Sequence, residues 1–406
     1  MHDGPTRLDL QIMKISIGIM LWNEEGTIGM TIDSIFEQSL FKEYRSGIES
    51  IEVVALANGC TDQSIPNATA AFARNLERCG LPYVQARVEA LPKGRSPAWN
   101  WFVHTRTSPD VDFILFMDAD ILINNENAMW SMVDGLNKSP YHPVAGAVGI
   151  KDIDLQERKS LSQRITSSFT KMEHDARHFY MCGGLYCGRA SFFRRIEFPK
   201  GFVCGDDGFI ASMAITNFFT TDYQFDRILH PVDASFVFEA YGTIPRLFKQ
   251  HRRRMVGSAV RVMIIDYVRS KQTNGSPDAG TIIRKACQEN PSWLEEYCRQ
   301  RIANSGFGVV PPRAILYRLT QLRRLSLGKK IMRFPLALAG TIWQAAVILS
   351  ANRSFRSGQY ASVWTNMPNT RMKSASVVAE TQTFEPLCPI EKNESVPRGG
   401  VHQNGK

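Results

Sequence analysis

Short apolar runs alternate with helix-like segments along the first 150 residues of the chain. The runs are of strand length and rich in β-branched residues, whereas the segments between them repeat apolar positions every three or four residues. The runs are KISIGIMLW, IEVVALA, PYVQARV, FILFM and AGAVGI. Strands that alternate with helices of this length predict βαβ units, and hence a mainly parallel sheet with both faces covered by helices.

Two of the intervening helices have predictable first turns. Asp62 to Cys79 is predicted as a helix capped by Thr61, with Pro66 in its first turns. A later helix is predicted to start at Ser96, with Pro97 at the first helical position behind a serine cap.

Polar clusters follow four of the predicted strands, at the point where each strand ends. In open parallel sheets, ligands bind outside the carboxyl ends of the strands. The clusters are Trp22–Gly26, Asn58–Asp62, Leu91–Arg95 and Asp118–Asp120. One such cluster would carry little weight, but four of them predict a binding site at this edge of the sheet.

The last cluster places two carboxylates one residue apart at the end of an apolar strand. Side chains two apart on an extended strand share a face, so Asp118 and Asp120 can reach one ligand. Paired carboxylates repel and are costly to bury unpaired. A Mg²⁺ or Mn²⁺ ion would remove both costs and could in turn hold a phosphate or diphosphate. The alternative is a strand end with two solvated acids.

The pattern changes after this region. Gly242 to Asn304 is predicted to be helical and rich in arginine, and Pro312 to Ala351 forms a second helical block. After Trp364 the composition shifts to Ser, Thr, Asn, Pro, Glu and Gly, which predicts disorder. We therefore expect a catalytic domain at 10–245, a basic helical region at 246–365, and a disordered tail at 366–406.

Composition narrows the class of protein and its surroundings. The hydrophobic fraction of 44% is that of a globular chain, and the net charge of +9 predicts an anionic partner such as phosphate, nucleic acid or a membrane surface. None of the eight cysteines forms a CxxC pair or a zinc-type spacing. The N-terminus has no apolar signal region, so we expect a cytoplasmic protein with free thiols.

An apolar stretch near the C-terminus, Phe334 to Ala351, approaches the ~20 residues that a membrane-spanning helix needs. Cations on both sides argue against a crossing. They are Arg323, Arg324, Lys329, Lys330 and Arg333 before the stretch, and Arg353 and Arg356 after it. The pattern favours peripheral attachment through Leu316 to Arg356 at the inner face of the cell membrane. The alternative is a helix buried in the core.

Several enzyme families use parts of this set of motifs. Haloacid-dehalogenase-type phosphatases carry DxD after their first strand, and some polymerases carry a GDD turn, which residues 205–207 would match. Here DxD follows the fourth predicted strand, and polymerase fingers and thumb regions are not found. From about Lys14 to Gly257 the chain carries, in order, the motifs ISIGIMLWNEEGTI, VVALANGCTDQS, LPKGRSPAWN, FILFMDAD, GGLYCGR, CGDD and QHRRR. This whole ordered set resembles a family 2 glycosyltransferase of the GT-A fold.

This resemblance implies an α/β GT-A (Rossmann-like) fold, with a mainly parallel sheet flanked by helices and a C-terminal helical region. It also implies a nucleoside-diphosphate sugar as donor and a divalent metal, Mg²⁺ or Mn²⁺. Asp118 would contact the ribose and Asp120 would bind the metal, with Asp118 as the second carboxylate beside it. The other donor-binding positions implied at the strand ends are Asn23, Glu24, Asn58, Lys93 and Gly94.

The resemblance also assigns the acidic turn and the arginine-rich helix. Asp207 would take the proton from the acceptor hydroxyl, and Asp206 stands where the family usually has Glu. The alternative for this pair is an N-terminal helix cap. Gln250, Arg253 and Arg254 resemble the QxxRW motif, with arginine in place of tryptophan, and would bind the diphosphate. The alternative there is a solvated basic helix face.

Together these features predict an inverting glycosyltransferase that transfers a sugar to a hydroxyl acceptor. The acceptor is expected to be lipid-linked or a growing polysaccharide, and no nucleic acid is expected as a partner. Two other functions remain open from the sequence. One is a metal-dependent phosphohydrolase built on DxD plus GDD, and the other is a sugar- or phosphate-binding relative without catalysis.

Overall fold

The computed structural model describes residues 12–45, 47–155, 181–202, 204–240, 243–272, 277–306, 308–322 and 326–360. The strands are β1 (Met13–Leu21), β2 (Ile48–Asn58), β3 (Val84–Leu91), β4 (Phe113–Asp118), β5 (Ile121–Ile123), β6 (Val144–Gly146), β7 (Val148–Lys151), β8 (Leu185–Arg189), β9 (Ile228–Leu229) and β10 (Ser235–Phe238). The predicted tail at 366–406 lies outside the described residues.

Twelve α-helices occur among the described residues. They are α1 (Ile28–Phe36), α2 (Ser39–Lys42), α3 (Ser64–Cys79), α4 (Arg95–Trp101), α5 (Ala128–Lys138), α6 (Ala190–Phe193), α7 (Asp206–Ile215), α8 (Ile244–Lys271), α9 (Ala279–Glu289), α10 (Trp293–Ala303), α11 (Tyr317–Leu322) and α12 (Leu327–Arg356). A π-helical turn at Phe102–Arg106 continues α4.

A seven-stranded sheet in the order β3-β2-β1-β4-β8-β6-β9 forms the centre of the molecule. Strands β3, β2, β1 and β4 are mutually parallel, and β8 runs antiparallel to both of its neighbours. A smaller sheet in the order β5-β10-β7 lies beyond β4 in the chain. The predicted fold class, a mainly parallel sheet flanked by helices with a C-terminal helical region, is confirmed.

The predicted fifth strand, AGAVGI, is wrong as a single element. The chain changes sheets at Ala147, so β6 pairs with β8 in the larger sheet while β7 pairs with β10 in the smaller one. The backbone N–H of Ala147 donates to Leu185, and that of Val148 donates to Ala234. Apolar residues stand on both sides of the change, so a hydropathy pattern does not show where one strand ends and the next begins.

The two predicted helix caps are also wrong. Helix α4 begins at Arg95 after Gly94, one residue before the predicted serine, and the Ser96 hydroxyl donates to the Phe202 carbonyl instead. Helix α3 begins at Ser64, and Thr61 lies outside it. Serine and threonine hydroxyls often cap a helix by bonding to the backbone of its first turn. Here each hydroxyl instead bonds to a residue far away in the sequence.

The core lies on both faces of the larger sheet, because successive side chains of β4 are buried in two different clusters. Ile114 and Phe116 belong to one buried cluster, whereas Phe113, Leu115 and Met117 belong to the other. Successive side chains on a strand point to opposite faces, so a strand buried on both faces is apolar at every position. This explains why FILFM shows no alternation in its sequence.

The C-terminal helices share the first of these clusters with the sheet. Val260 of α8, Ile283 of α9, and Ile348 and Phe355 of α12 are buried in the same cluster as Phe116. The basic helical region therefore packs directly on the sheet through one continuous core. The proposed boundary near residue 246 stays a prediction.

Candidate active site

Polar side chains meet at the carboxyl ends of the parallel strands. In the register of the sheet, Met20 of β1 lies opposite Asp118 of β4, and Asn58 at the end of β2 lies opposite Leu91 of β3. Since all four strands run in the same direction, the segments that follow them emerge at one edge. The clustering predicted from the sequence is therefore present in the fold.

The DAD segment lies where the chain leaves the larger sheet for the smaller one. Strand β4 ends at Asp118, and Asp120 lies in the turn before β5. Ala119 is buried between them, and its carbonyl accepts hydrogen bonds from the Thr27 and Thr31 hydroxyls at 3.1 and 2.9 Å. These bonds to α1 and the residue before it fix the turn and leave both acids half-buried at the sheet edge.

Arg95 joins two carboxylates that are far apart in the sequence. Its Nη1 lies 2.6 Å from Asp118 Oδ1, and its Nε lies 2.9 Å from Asp206 Oδ2. The side chains of Arg95 and Asp206 are only 12% and 11% exposed, whereas that of Asp118 is 32% exposed. The guanidinium therefore links the end of β4 to the first turn of α7 through charge-assisted hydrogen bonds.

The electrostatic environment of Asp118 opposes its ionisation in spite of this pairing. Burial raises its pKa above the usual range for aspartate, the Arg95 charge lowers it, and the charge of Asp120 raises it further. Burial is the largest of these effects, so the net upward direction comes mainly from lost hydration of the carboxylate, with the Asp120 charge adding to it. A divalent cation between them would remove the repulsion.

Asp206 and Asp207 occupy the first turn of α7, after Gly205, which has a φ of +89°. Asp206 pairs with Arg95, whereas Asp207 faces the Gly183 backbone, where a Cβ atom would lie 3.2 Å from the Asp207 carboxylate. Burial raises the pKa of Asp207, and the charge of Asp206 raises it further. A carboxyl with a raised pKa is a stronger proton acceptor than an ordinary aspartate.

The residues predicted to start the nucleotide site form a clamp between β1 and α3. Asn23 has a positive φ of +52°, its Oδ1 accepts from the Thr61 N–H at 2.7 Å, and its Nδ2 donates to the Thr61 hydroxyl at 3.1 Å. The Glu24 N–H donates to the Ser64 hydroxyl at 2.7 Å, and its carboxylate accepts from Thr27. These bonds give both residues a bracing function at the strand ends.

Asn58 has a similar structural use, whereas Lys93 is open to solvent. The Asn58 Nδ2 donates to the Leu21 carbonyl at 2.8 Å, and the side chain is buried between β1 and β2. Lys93 Nζ lies 4.7 Å from the centre of the Trp22 ring and remains exposed. Gly94 has a φ of +145°, a conformation that favours glycine. Of these residues, Lys93 is the best placed to reach a ligand.

Helix α8 brings one of its three predicted site residues towards the acidic turn. Arg254 is exposed, and its charge lowers the pKa of Asp207, which places it on the side of the candidate site. The Arg253 carbonyl instead accepts from the Cys204 thiol at 3.2 Å. Gln250 is 5% exposed, and its Oε1 has no hydrogen-bond partner among the described residues. Arg254 is therefore the member of this motif whose charge acts on the proposed base.

The acids at this edge suit only one kind of metal site. No group of three or more His, Cys, Asp or Glu side chains that could hold a metal occurs among the described residues. Mg²⁺ is commonly held by one or two carboxylates together with waters and substrate phosphates. Asp118 and Asp120 fit that arrangement and do not fit a closed structural site, so metal binding here would depend on a phosphate-bearing ligand.

Sequence reasoning missed the buried network around Arg95. Behind the ion pairs, Trp99 Nε1 donates to the hydroxyl of Tyr186 at 3.2 Å, and both side chains are fully buried. The Phe116 ring stacks on both of them. The available signal was that Arg95, together with Lys93, is basic in a set of strand-end clusters whose other charged residues are acids.

Comparison with known proteins gives no family assignment. No protein-family model matches the sequence, and no curated protein matches it. Among solved structures, the fold is similar to glucosyl-3-phosphoglycerate synthase from Mycobacterium tuberculosis in complex with Mn²⁺, UDP-glucose and phosphoglyceric acid. The identity is 17% and the TM-score 0.40, covering 64% of this chain and 85% of that one.

A second similar structure is described as a mycobacterial protein. It has 17% identity and a TM-score of 0.40, and it covers 61% of this chain and 74% of that one. The same synthase in complex with Mn²⁺, UDP-glucose and glycerol 3-phosphate matches equally, over 64% of this chain and 86% of that one. Similarity at this level assigns neither an activity nor a ligand to the chain.

Proposed function

We propose that this chain is an inverting, metal-dependent glycosyltransferase of the family 2 type that uses a nucleoside-diphosphate sugar. The observation that carries the proposal is the Arg95 bridge, which holds Asp118 of the strand-end acids against Asp206 at the start of α7. It brings the acids proposed for the donor and the acid proposed as the base, Asp207, to one edge of the sheet.

Asp118 and Asp120 would hold the divalent metal, Mg²⁺ or Mn²⁺. When bound, the metal would neutralise negative charge on the diphosphate leaving group. The Asp120 charge raises the pKa of Asp118, so it is unfavourable to keep both carboxylates ionised without a cation between them. This unfavourable repulsion supports the assignment. Arg95 would stay with Asp206 and limit the net negative charge of the site.

The exposed cations at the rim would complete the donor site. Lys93 follows β3 beside Trp22, and Arg254 lies on α8 near the acidic turn. Both can approach phosphate oxygens, and the glycine conformation at Gly94 allows close approach of the backbone. Asn23, Glu24 and Asn58 would support this site by bracing the strand ends.

Asp207 would act as the general base. The acceptor hydroxyl gives its proton to the Asp207 carboxylate while its oxygen forms a bond to the anomeric carbon. The bond from that carbon to the diphosphate oxygen breaks, and its electron pair leaves with the diphosphate, so the anomeric configuration inverts. The proposal that the acceptor is lipid-linked or a growing polysaccharide rests on the surface described in the next section.

A donor screen tests the proposal. The full chain would be incubated with UDP- and GDP-sugars and Mg²⁺ or Mn²⁺, and release of nucleoside diphosphate would be measured. We expect release that needs the metal and falls by about 10²–10⁴-fold in Asp207→Asn with donor affinity retained. Asp222→Asn, an exposed acid beyond the same helix, is the matched control and should keep full activity.

Two outcomes would overturn the proposal, and a third would overturn the assignment of the base. Release of inorganic phosphate from simple phosphomonoesters, with no nucleoside diphosphate formed from any sugar donor, would identify a phosphohydrolase. Tight binding of a nucleotide sugar with no turnover in any condition would identify a binding protein without catalysis. Loss of donor affinity with an unchanged rate in Asp207→Asn would show that the base is misassigned.

A further inference from the structure

The net positive charge of the chain comes from one segment near its C-terminus. Between Glu296 and Glu380 the sequence has no Asp or Glu, yet it has 13 Lys and Arg residues. That number exceeds the net charge of +9 for the whole chain, so the rest of the chain is net negative. The anionic partner implied by the net charge is therefore to be sought at this segment more than at the strand ends.

The first half of α12 exposes large apolar side chains in the same segment. Ile331 is 68% exposed and Phe334 is 51% exposed, both well above the exposure of a core-packing face. The large apolar residues exposed along this half are Leu327, Ile331, Met332, Phe334, Leu336, Leu338 and Ile342. A run of this size on a soluble surface marks an interaction site.

The second half of α12 is part of the protein core. Val347, Ile348, Ala351 and Phe355 are almost completely buried, and the last three belong to the cluster shared with the sheet. Lys330–Arg356 is long and apolar enough to cross a membrane by length and composition, but a third of its apolar window is buried. The exposed half, 327–342, is about 24 Å long. This is shorter than a hydrocarbon core of ~30 Å, so it can enter one leaflet but cannot span the bilayer.

Helix α11 packs beside this exposed half and forms an apolar cleft with it. The cleft has a volume of about 440 Å³, and its lining is almost entirely apolar. Its lining residues are Leu319, Leu322, Lys330, Ile331, Phe334 and Pro335. Lys330 at the cleft and exposed Arg333 one turn further on place cations beside the apolar surface. Apolar side chains next to cations suit acyl chains below anionic head groups.

The exposed half of α12 ends where the helix contacts α8. Trp343 Nε1 donates to His251 Nδ1 at 2.8 Å, and the Phe248 ring packs edge-on against Trp343. His251 follows Gln250 and precedes Arg254 by less than one turn of α8. The exposed half of α12 therefore adjoins the helix that carries Arg254, one of the residues proposed to bind the donor.

We propose that the exposed half of α12, together with α11, docks on an anionic lipid bilayer. The charge distribution selects this occupant over a second copy of the chain. A symmetric dimer through this surface would bring two acid-free, cationic segments together, which is repulsive. An anionic bilayer instead provides both the counter-charge and the apolar phase. This docking goes beyond the proposed transferase activity and does not depend on it.

Vesicle co-sedimentation of the full chain tests the docking. Vesicles of phosphatidylcholine alone would be compared with vesicles that also contain phosphatidylglycerol. We expect binding to the anionic vesicles that weakens with salt. Ile331→Ser/Phe334→Ser should weaken it by at least about tenfold, because the inserted apolar area is lost. Lys330→Gln/Arg333→Gln should weaken it by about fivefold to thirtyfold, from ~1 kcal/mol per basic residue before screening.

Matched controls come from elsewhere on the surface. Val232→Ser removes an apolar side chain that is 83% exposed, and Lys200→Gln/Lys285→Gln removes two exposed cations outside the acid-free segment. Both controls should bind vesicles as the parent chain does. Absence of binding to anionic vesicles would overturn the proposal. So would a stable dimer in sedimentation velocity that Ile331→Ser/Phe334→Ser converts to monomer, since that result assigns the surface to self-association.

Discussion

Replacing Arg95 with glutamine should destabilise the fold, because two acids lose their shared cation. Removing one partner of a buried ion pair typically costs about 3–5 kcal/mol. Asp206 is almost fully buried, but a third of the Asp118 side chain reaches solvent, which can take over part of the lost interaction. We therefore expect a loss near the lower end, about 3 kcal/mol. For a folded unit of roughly 300 residues this corresponds to a fall of about 5 °C in Tm.

Arg74→Gln is the matched control for this substitution. Arg74 pairs with Asp33 at 2.7 Å, but both side chains are well exposed. Exposed pairs contribute about 0.2–1 kcal/mol, so this change should cost less than 1 kcal/mol. Thermal and urea unfolding followed by circular dichroism would measure both variants.

A double-mutant cycle separates the ion pair from the loss of side-chain packing. Arg95→Gln/Asp206→Asn removes the buried charge together with its partner, so it should recover at least about 1 kcal/mol relative to the sum of the single changes. The reasoning is refuted if Arg95→Gln costs no more than Arg74→Gln. A coupling energy near zero between positions 95 and 206 would also refute it.

Two further predictions concern the acids of the site. Asp120→Ala should abolish metal-dependent binding of a nucleotide sugar in calorimetry, whereas an unchanged metal requirement would remove Asp120 from the metal site. The raised pKa of Asp207 predicts that kcat rises with pH through a value above the ordinary 3.8, since the base must be deprotonated to act. By linkage, the same carboxyl favours folding at low pH and loses that contribution as pH rises through its raised pKa. An acidic limb that persists unchanged in Asp207→Asn would assign the titration to another group.

The strand ends could be predicted from the sequence because their signals are local. Each apolar run stops at a polar residue, as at Asn58 and Asp118, and parallel strands bring those ends to one edge. The position of the site follows from this arrangement without knowledge of any contact. The roles of individual side chains do not follow, since Asn58 turned out to brace the Leu21 carbonyl from a buried position.

Long-range pairing is what the sequence could not reveal. Arg95 and Asp206 are 111 residues apart, and no periodic pattern links them. The same limit applies to α12, where large apolar residues occur in both halves, although those of the first half are mostly exposed and most of those in the second half are buried. Which half faces the core depends on where α8 and the sheet lie. The fold class thus depends on local pattern, whereas the site's electrostatics depend on packing.

Two neighbouring glycines allow the position of the proposed base to be tested separately from the core. A Cβ on Gly183 would lie 3.2 Å from Asp207 Oδ2, a contact tight enough to displace the carboxylate by a few tenths of an ångström. A Cβ on Gly184 would lie 2.4 Å from the ring of Phe236, which is buried in the core.

Gly183→Ala should therefore lower kcat with little change in donor KM or Tm, since positioning of a catalytic group within a fraction of an ångström affects rate most. Gly184→Ala should lower Tm instead, by overpacking that typically costs about 1–3 kcal/mol. Steady-state kinetics and thermal unfolding of both variants decide the matter. The reasoning would be wrong if Gly183→Ala and Gly184→Ala lowered Tm equally and Gly183→Ala left kcat unchanged. Asp207 would then not act from the position assigned to it.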